Sequence, residues 1–267
     1  MHSSMPEDWI VPDWPAPACV HAVTTTRQGG VSGGAFSSMN PAGHVGDAPE
    51  AVAANRVRLQ QQLALPAAPA WLQQVHGTTI VDAVSATGTA QSDAAFACRP
   101  GVVCAVLTAD CLPLLLCDRE GKCVAAVHAG WRGLAAGIIE QAVHSLQRTG
   151  ADLLGWLGPA ISQAAYRVGD EVRDTFMAHD RRAAAAFTAA AGGGWQADLY
   201  RLARQRLEDC GVADVYGGDY CSYGEPARFF SYRRDGTCGR MASLIWLSRQ
   251  DNSRMIAGLN RASDSDI

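Results

Sequence analysis

Two apolar runs, Gly101–Asp118 and Lys122–Ala129, follow one another closely, and the second leads directly into VHAGWRG, Val127–Gly133. Rich in aliphatic and β-branched residues, both runs read as strands. The two glycines after His128 admit a tight turn into a helix, and helical spacing then holds over Leu134–Gln147 up to Gly150. A third β-prone run at Trp71–Val84 makes the middle of the chain strand, strand, strand, helix. Further strands are expected at Leu153–Leu157, Val212–Gly217, Arg228–Tyr232 and Met241–Leu247. Helices are expected near Asp170–His179 and at Asp198–Cys210, where Asp198 offers an N-cap and Gly211 a stop. Upstream, Pro49–Leu65 fits an amphipathic helix that starts at its proline and ends at the break of Pro66 and Pro69. The Ala/Gly-rich stretch 183–194 reads as a short helix and a loop.

A chain of 267 residues, 48% hydrophobic, can bury one substantial core, so a single domain over 1–267 is expected. Residues 1–18 read as an extended lead-in and 249–267 as a polar tail. Arg27–Gly46, rich in Gly, Ser and Asn, reads as a long irregular loop, a type that often carries function. With 22 basic against 26 acidic residues there is no basic stripe, which argues against nucleic acid as a partner. Neither an export signal nor a run of about 18 apolar residues is present, so a cytoplasmic protein without membrane attachment is expected. Nine cysteines form an odd set without a CxxC pair. A disulfide framework is therefore not expected, and most of the thiols read as small buried hydrophobes.

Three breaks in the strands carry chemistry. In LTADCLPLLL (Leu107–Leu116) the polar group Thr108, Asp110 and Cys111 interrupts an apolar strand; in LQQVHGTTI (Leu72–Ile80) His76 precedes a glycine; His128 ends its strand before Gly130. Each alone is ordinarily structural, a buried cysteine or a satisfied histidine. Together they put two imidazoles and a thiol where one end of a sheet could gather them. Three protein ligands with an open fourth position make a catalytic zinc site, and the separations of 35 and 17 positions match no zinc-finger spacing. Arg132, at the expected helix start, adds positive charge suited to an anion. In FFSYRRDGTCGR (Phe229–Arg240) the arginines read either as a solvated hairpin tip or as groups reaching a phosphate or carboxylate.

Through QVHG (Gln74–Gly77), SDA (Ser92–Ala94), TADCLP (Thr108–Pro113), HAGWRG (His128–Gly133), LGPAIS (Leu157–Ser162) and SYRRDG with its following GR (Ser231–Arg240), the chain resembles a known family. Its members were first described as multicopper polyphenol oxidases or laccase-domain proteins, later as zinc-dependent purine nucleoside phosphorylases, and some as peptidoglycan editing factors. The resemblance implies an α+β fold, with mixed β-sheets in a layered sandwich and helices outside, similar to a group of cysteine hydrolases. It implies zinc held by His76, Cys111 and His128, with Asn40 and Arg56 lining a nucleoside pocket; on the residues themselves, Arg132 or Arg240 would hold phosphate, Arg132 ahead for its place at a helix start. Two departures stand out: YRVG at Tyr166–Gly169 has Arg167 where relatives carry an acidic residue, and Cys221-Ser222 stands for a Cys-Thr pair.

The implied activity is phosphorolysis of adenosine, inosine, guanosine and methylthioadenosine, with adenosine deamination as a second outcome at the same zinc, and a homodimer is compatible with it. Catalysis would rest on Cys111, His128 and Arg132. One rival is a hydrolase editing peptidoglycan precursors, with Cys111 as nucleophile and His128 as base. Another is a non-catalytic zinc module in which the trio staples loops. Copper oxidation of phenols is disfavoured, because it needs many histidine ligands and the chain has seven histidines in all.

Overall fold

The computed structural model describes residues 6–86 and 90–248; the expected polar tail at 249–267 lies outside them. In chain order the elements are β1 (Val20–Thr24), α1 (Pro49–Gln62), β2 (Ile80–Asp82), β3 (Ala94–Ala97), β4 (Val103–Thr108), β5 (Leu112–Asp118) and β6 (Val124–Ala129). After β6 come α2 (Trp131–Ala136), α3 (Ile138–Ser145), β7 (Leu153–Leu157), β8 (Arg167–Val168), α4 (Asp170–His179), β9 (Phe187–Ala189) and β10 (Trp195–Ala197). The last four are α5 (Leu199–Asp209), β11 (Asp214–Gly217), α6 (Tyr232–Asp235) and β12 (Met241–Leu247). No helix among the described residues is long and apolar enough to cross a membrane.

Strand periodicity sets the layers. A mixed six-stranded sheet runs β11-β7-β5-β6-β3-β2, and a three-stranded sheet runs β1-β12-β4. Along β5, Leu112, Leu114 and Leu116 face the core beneath the helices, whereas Leu115 and Cys117 face the other sheet. On β4, Cys104 and Val106 enter that same inter-sheet core, while Val103, Ala105 and Leu107 turn outward to meet Leu59 of α1. Alternation of this kind is the period of two expected for strands buried on both faces. The layer order is therefore α1, small sheet, large sheet, then α2 to α5, the expected α+β sandwich with helices outside. A further sheet, β8-β10-β9, covers one end.

Caps explain where several helices begin and end. Pro49 opens α1, and the Asp198 side chain accepts the Arg201 N–H at the start of α5. The helix expected over Leu134–Gln147 is two helices, because Gly137 sits in the left-handed region at φ 99° between them.

Other expectations need correction. Gly101–Asp118 is two strands in different sheets, hinged at Ala109–Cys111 with Asp110 at φ 88°. Of Trp71–Val84 only Ile80–Asp82 is a strand, with isolated bridges at Ala70 and Gln73. Arg228–Tyr232 forms no strand: Phe229 and Phe230 fill the inter-sheet core instead, and α6 starts at Tyr232. The short helix and loop expected over 183–194 are present, the helix running Arg181–Ala186, with the unexpected strand β9 between them. Cys98 and Cys123 form a disulfide, which the cysteine spacing did not predict, although Cys19, Cys104, Cys117 and Cys238 are buried free thiols as expected.

The β3–β6 pair is the element that positions the site. Its ladder pairs Ala97 with Val124 at one end, just before the disulfide, and Ala94 with Val127 at the other. Beyond Ala94 the ladder continues as the His128 N–H donates to the Asp93 carbonyl at 2.7 Å.

Candidate metal centre

His76, Cys111 and His128 meet at one end of the large sheet, their ligand atoms all within 4.8 Å of one another. None lies in the middle of a strand. Cys111 follows the β4–β5 hinge, His128 is the penultimate residue of β6, and His76 sits on the loop before β2 at φ 61°. Left-handed backbone at non-glycine residues costs about 1–2 kcal/mol, so His76 and Asp110 must be held in place by their surroundings.

Asp93 holds the first of them. Its carboxylate accepts the backbone N–H groups of Val75 at 3.2 Å, His76 at 2.9 Å and Gly77 at 2.6 Å. The same carboxylate accepts Nδ1–H of His128 at 2.8 Å, which fixes that ring's tautomer and leaves Nε2 to face the trio. Asp110 is held likewise, accepting from the Ser222 hydroxyl and the Arg233 N–H, both at 2.6 Å. Cys111 is thereby presented by a hinge clamped from both sides.

Electrostatics match that geometry. Burial alone would raise the Cys111 thiol, but the charge and hydrogen bond of His128, followed by those of His76, bring it down to about 6. Burial would likewise lower His128, which is instead raised by the Cys111 charge and by the hydrogen bond to Asp93. Each partner thus favours the charged form of the other.

The donors also suit a metal ion. Cys111 Sγ and His76 Nε2 are 3.8 Å apart, close to the ~3.6 Å that tetrahedral zinc with ~2.3 Å sulfur and ~2.0 Å nitrogen bonds requires. Gly130 leaves the room: a Cβ there would stand 2.9 Å from the His76 ring and 3.1 Å from Cys111 Sγ. Among the described residues no other group of three His, Cys, Asp or Glu side chains converges in this way.

A cleft of about 680 Å³ is lined by His44, Arg56, Trp71, Gln74 and Leu107 among others; none of the trio lines it, and Gln74 stands two residues before His76 in the chain. The Arg56 guanidinium stacks 4.6 Å from the Trp71 ring centroid while its Nε donates to the Pro41 carbonyl. Next to Arg56 in the chain, Asn55 ties down the long loop through Val31, Ser32, Ser38 and Asn40. Asn40 is fully buried, with both amide donors and its acceptor engaged by Ala42, Asp47 and the Arg240 N–H. It shapes the cleft through this loop and has no free group to offer a ligand.

The arginines divide. Arg240 turns its guanidinium to the carbonyls of Cys238 and Gly239, and its charge, after burial, helps lower His44. Arg132 is exposed at the start of α2 and stacks 4.5 Å from the Trp131 ring centroid. Arg167, the departure in YRVG, spends its side chain on the carbonyls of Gly192 and Gly193 and so fastens the β9–β10 turn. Asp93 and Asp110 are the residues whose part sequence reasoning missed. Both lie inside quoted motifs, SDA and TADC, and that placement was the available signal.

The fold is an α+β sandwich with two histidines and one cysteine gathered at the end of its main sheet, a group that could hold a metal ion. The family described as multi-copper polyphenol oxidoreductase laccase matches residues 21–248, and the chain belongs to it. It is similar to the purine nucleoside phosphorylase of Pseudomonas aeruginosa, 53% identical over 240 residues that cover 90% of this chain and 98% of that one. To the purine nucleoside phosphorylase YfiH of Escherichia coli it is 51% identical, covering 89% and 98%. Among solved structures, Neisseria meningitidis protein NMB0706 superposes with a TM-score of 0.88 at 50% identity, over 91% of this chain and 100% of that one. YlmD from Geobacillus stearothermophilus gives 0.84 at 31% identity, over 93% and 99%.

Proposed function

We propose that the chain is a zinc-dependent purine nucleoside phosphorylase acting on adenosine, inosine, guanosine and methylthioadenosine. The observation that carries the reading is the trio itself, with Asp93 on the far nitrogen of His128; a cleft walled by Arg56, His44 and Trp71 includes Gln74, two residues before His76. The relatives named purine nucleoside phosphorylase support the same class. Zinc held by His76, Cys111 and His128 would supply positive charge where negative charge develops.

The chain's own residues do the rest. Trp71, backed by Arg56, offers an aromatic face to a purine. A phosphate oxygen attacks the anomeric carbon, the bond from that carbon to the base nitrogen breaks, and the phosphate proton ends on the released base. Products are a ribose 1-phosphate and a free purine. Asp93 keeps His128 oriented throughout, and Arg132 is the cation available to the entering anion. Attack of water at purine C6 in the same cleft, with the C6–N bond broken and ammonia released, would convert adenosine to inosine instead.

A second reading is favoured by one observation: the Cys111 sulfur lies within 4.8 Å of a His128 whose Nδ1 is 2.8 Å from the Asp93 carboxylate, the residue set a cysteine hydrolase uses. The test incubates metal-analysed protein with adenosine or inosine, with and without phosphate, beside Cys111→Ala. Phosphate-dependent base release that is lost in the variant is the expected result, and inosine formed from adenosine would register deamination. No nucleoside turnover by zinc-loaded protein overturns the proposal and leaves hydrolysis of peptidoglycan precursors as the reading to pursue.

A further inference from the structure

We propose that Cys98 and Cys123 form a thiol-exchange site: a small thiol attacks Cys98, Cys123 leaves and later resolves the adduct, and Arg148 steadies the Cys123 thiolate. The site stands at the opposite end of the β3–β6 pair from the metal centre, and it does not rest on the phosphorylase reading.

Register brings the two cysteines together. The ladder runs from Ala94 opposite Val127 to Ala97 opposite Val124, and Cys98 and Cys123 occupy the next rung, joined as a disulfide. All of β6 is buried, and so is β3 apart from Phe96. These rungs and their packing hold the two backbones together without help from the sulfur–sulfur bond. When that bond opens, the cysteines therefore remain opposed, and the pair can close again within one molecule, at an effective concentration well above that of a free thiol.

The two sulfurs differ in access. Cys98 is exposed, whereas Cys123 is only 2% exposed. Both line a cleft of about 490 Å³, within the range of small-molecule sites, together with Lys122 and Arg148. Thiol exchange is fastest at a sulfur the reagent can reach and when the departing thiolate is stabilised. Arg148 supplies that stabilisation, with Nη2 3.8 Å from Cys123 Sγ. Its Nε donates to the Asp118 carboxylate at 3.0 Å and its Nη1 to the Gln147 carbonyl at 3.2 Å. The other oxygen of Asp118, a buried side chain, accepts the Cys123 N–H at 3.1 Å. One carboxylate thus anchors both the leaving residue and the cation beside it.

In the opening step the reagent, ionised by loss of its proton to water, bonds to Cys98 Sγ. The Cys98–Cys123 bond breaks, and its electron pair leaves on Cys123. Attack by Cys123 on the adduct restores the disulfide and expels the first thiol. Attack by a second reagent thiol on the adduct instead releases Cys98 and a disulfide of the reagent, so that two thiols are oxidised and the protein pair is reduced by two electrons.

Reduced glutathione is the probe. The folded, zinc-loaded protein is exposed to it briefly, quenched with an alkylating agent and mapped by mass spectrometry without reductant. A Cys98–Cys123 cross-link is expected before exposure; afterwards, glutathione should sit on the Cys98 peptide with Cys123 alkylated. Cys123→Ser, treated with oxidised glutathione, should hold a lasting adduct on Cys98, whereas the adduct of the unaltered protein should close back to the cross-link once free glutathione is removed. Arg148→Met should slow opening about 3- to 10-fold at unchanged circular dichroism, and Arg148→Lys should recover part of the rate. A map without the cross-link, an adduct on Cys123 in place of Cys98, or opening only after the protein is unfolded in denaturant overturns the site. An unchanged opening rate in Arg148→Met overturns the part given to Arg148.

Discussion

Four N–H donors point at the Asp93 carboxylate, three from the His76 loop and one from the His128 ring. Asp93→Asn puts an amide N–H against at least one of them, which breaks a charge-assisted bond and frees the His76 loop from its left-handed turn. Zinc affinity, read by competition with a chelating dye, should fall about 10- to 100-fold while the helical circular dichroism stays unchanged. Affinity within twofold of the parent would remove Asp93 from the centre. Both histidines and the cysteine were legible in the sequence because each interrupts an apolar run. Asp93 was not, since its meaning lies in N–H groups 16 to 18 positions upstream and in a ring 35 positions downstream.

Breaks within elements decide how the donors are aimed. Leu134–Gln147 has unbroken helical spacing, and only the backbone shows that Gly137, at φ 99° and ψ 31°, ends one helix and starts the next. Gly137→Ala should cost about 1 kcal/mol, a drop of ~2–4 °C in Tm by scanning calorimetry, with metal content retained. An unchanged Tm would mean the left-handed residue is not what separates α2 from α3. The sequence shows the break at Thr108–Cys111 but not that it is a change of sheet: β4 and β5 are both buried on both faces, so neither shows the alternation that would mark one. Elements with a cap or a sharp polar boundary, α4 and β12 among them, were read with the bounds they have. Phe229 and Phe230 were read as a strand because aromatic residues favour sheets, whereas here they plug the gap between two.

At the scale of the molecule, the layered sandwich was implied by family resemblance rather than by composition, and the layers follow from which side of each strand is filled. The three ligands sit at three separate interruptions, 35 and 17 positions apart, and they face one another only once β5, β6 and β3 are paired. That spacing has a consequence in time. A zinc finger collects its ion with a few neighbouring residues and folds around it; this chain must close long loops before any pair of ligands can meet. On the proposed zinc reading, the ion would therefore enter a framework already built. Refolding followed by tryptophan fluorescence should proceed at the same rate with zinc or with chelator, and the ion's whole effect should fall on the unfolding rate. Faster refolding with zinc would place capture before assembly. If the rates behave as expected, newly made protein is complete in shape before any metal binds, and under the proposed zinc dependence the supply of zinc would govern how much of it is active without governing how much of it folds.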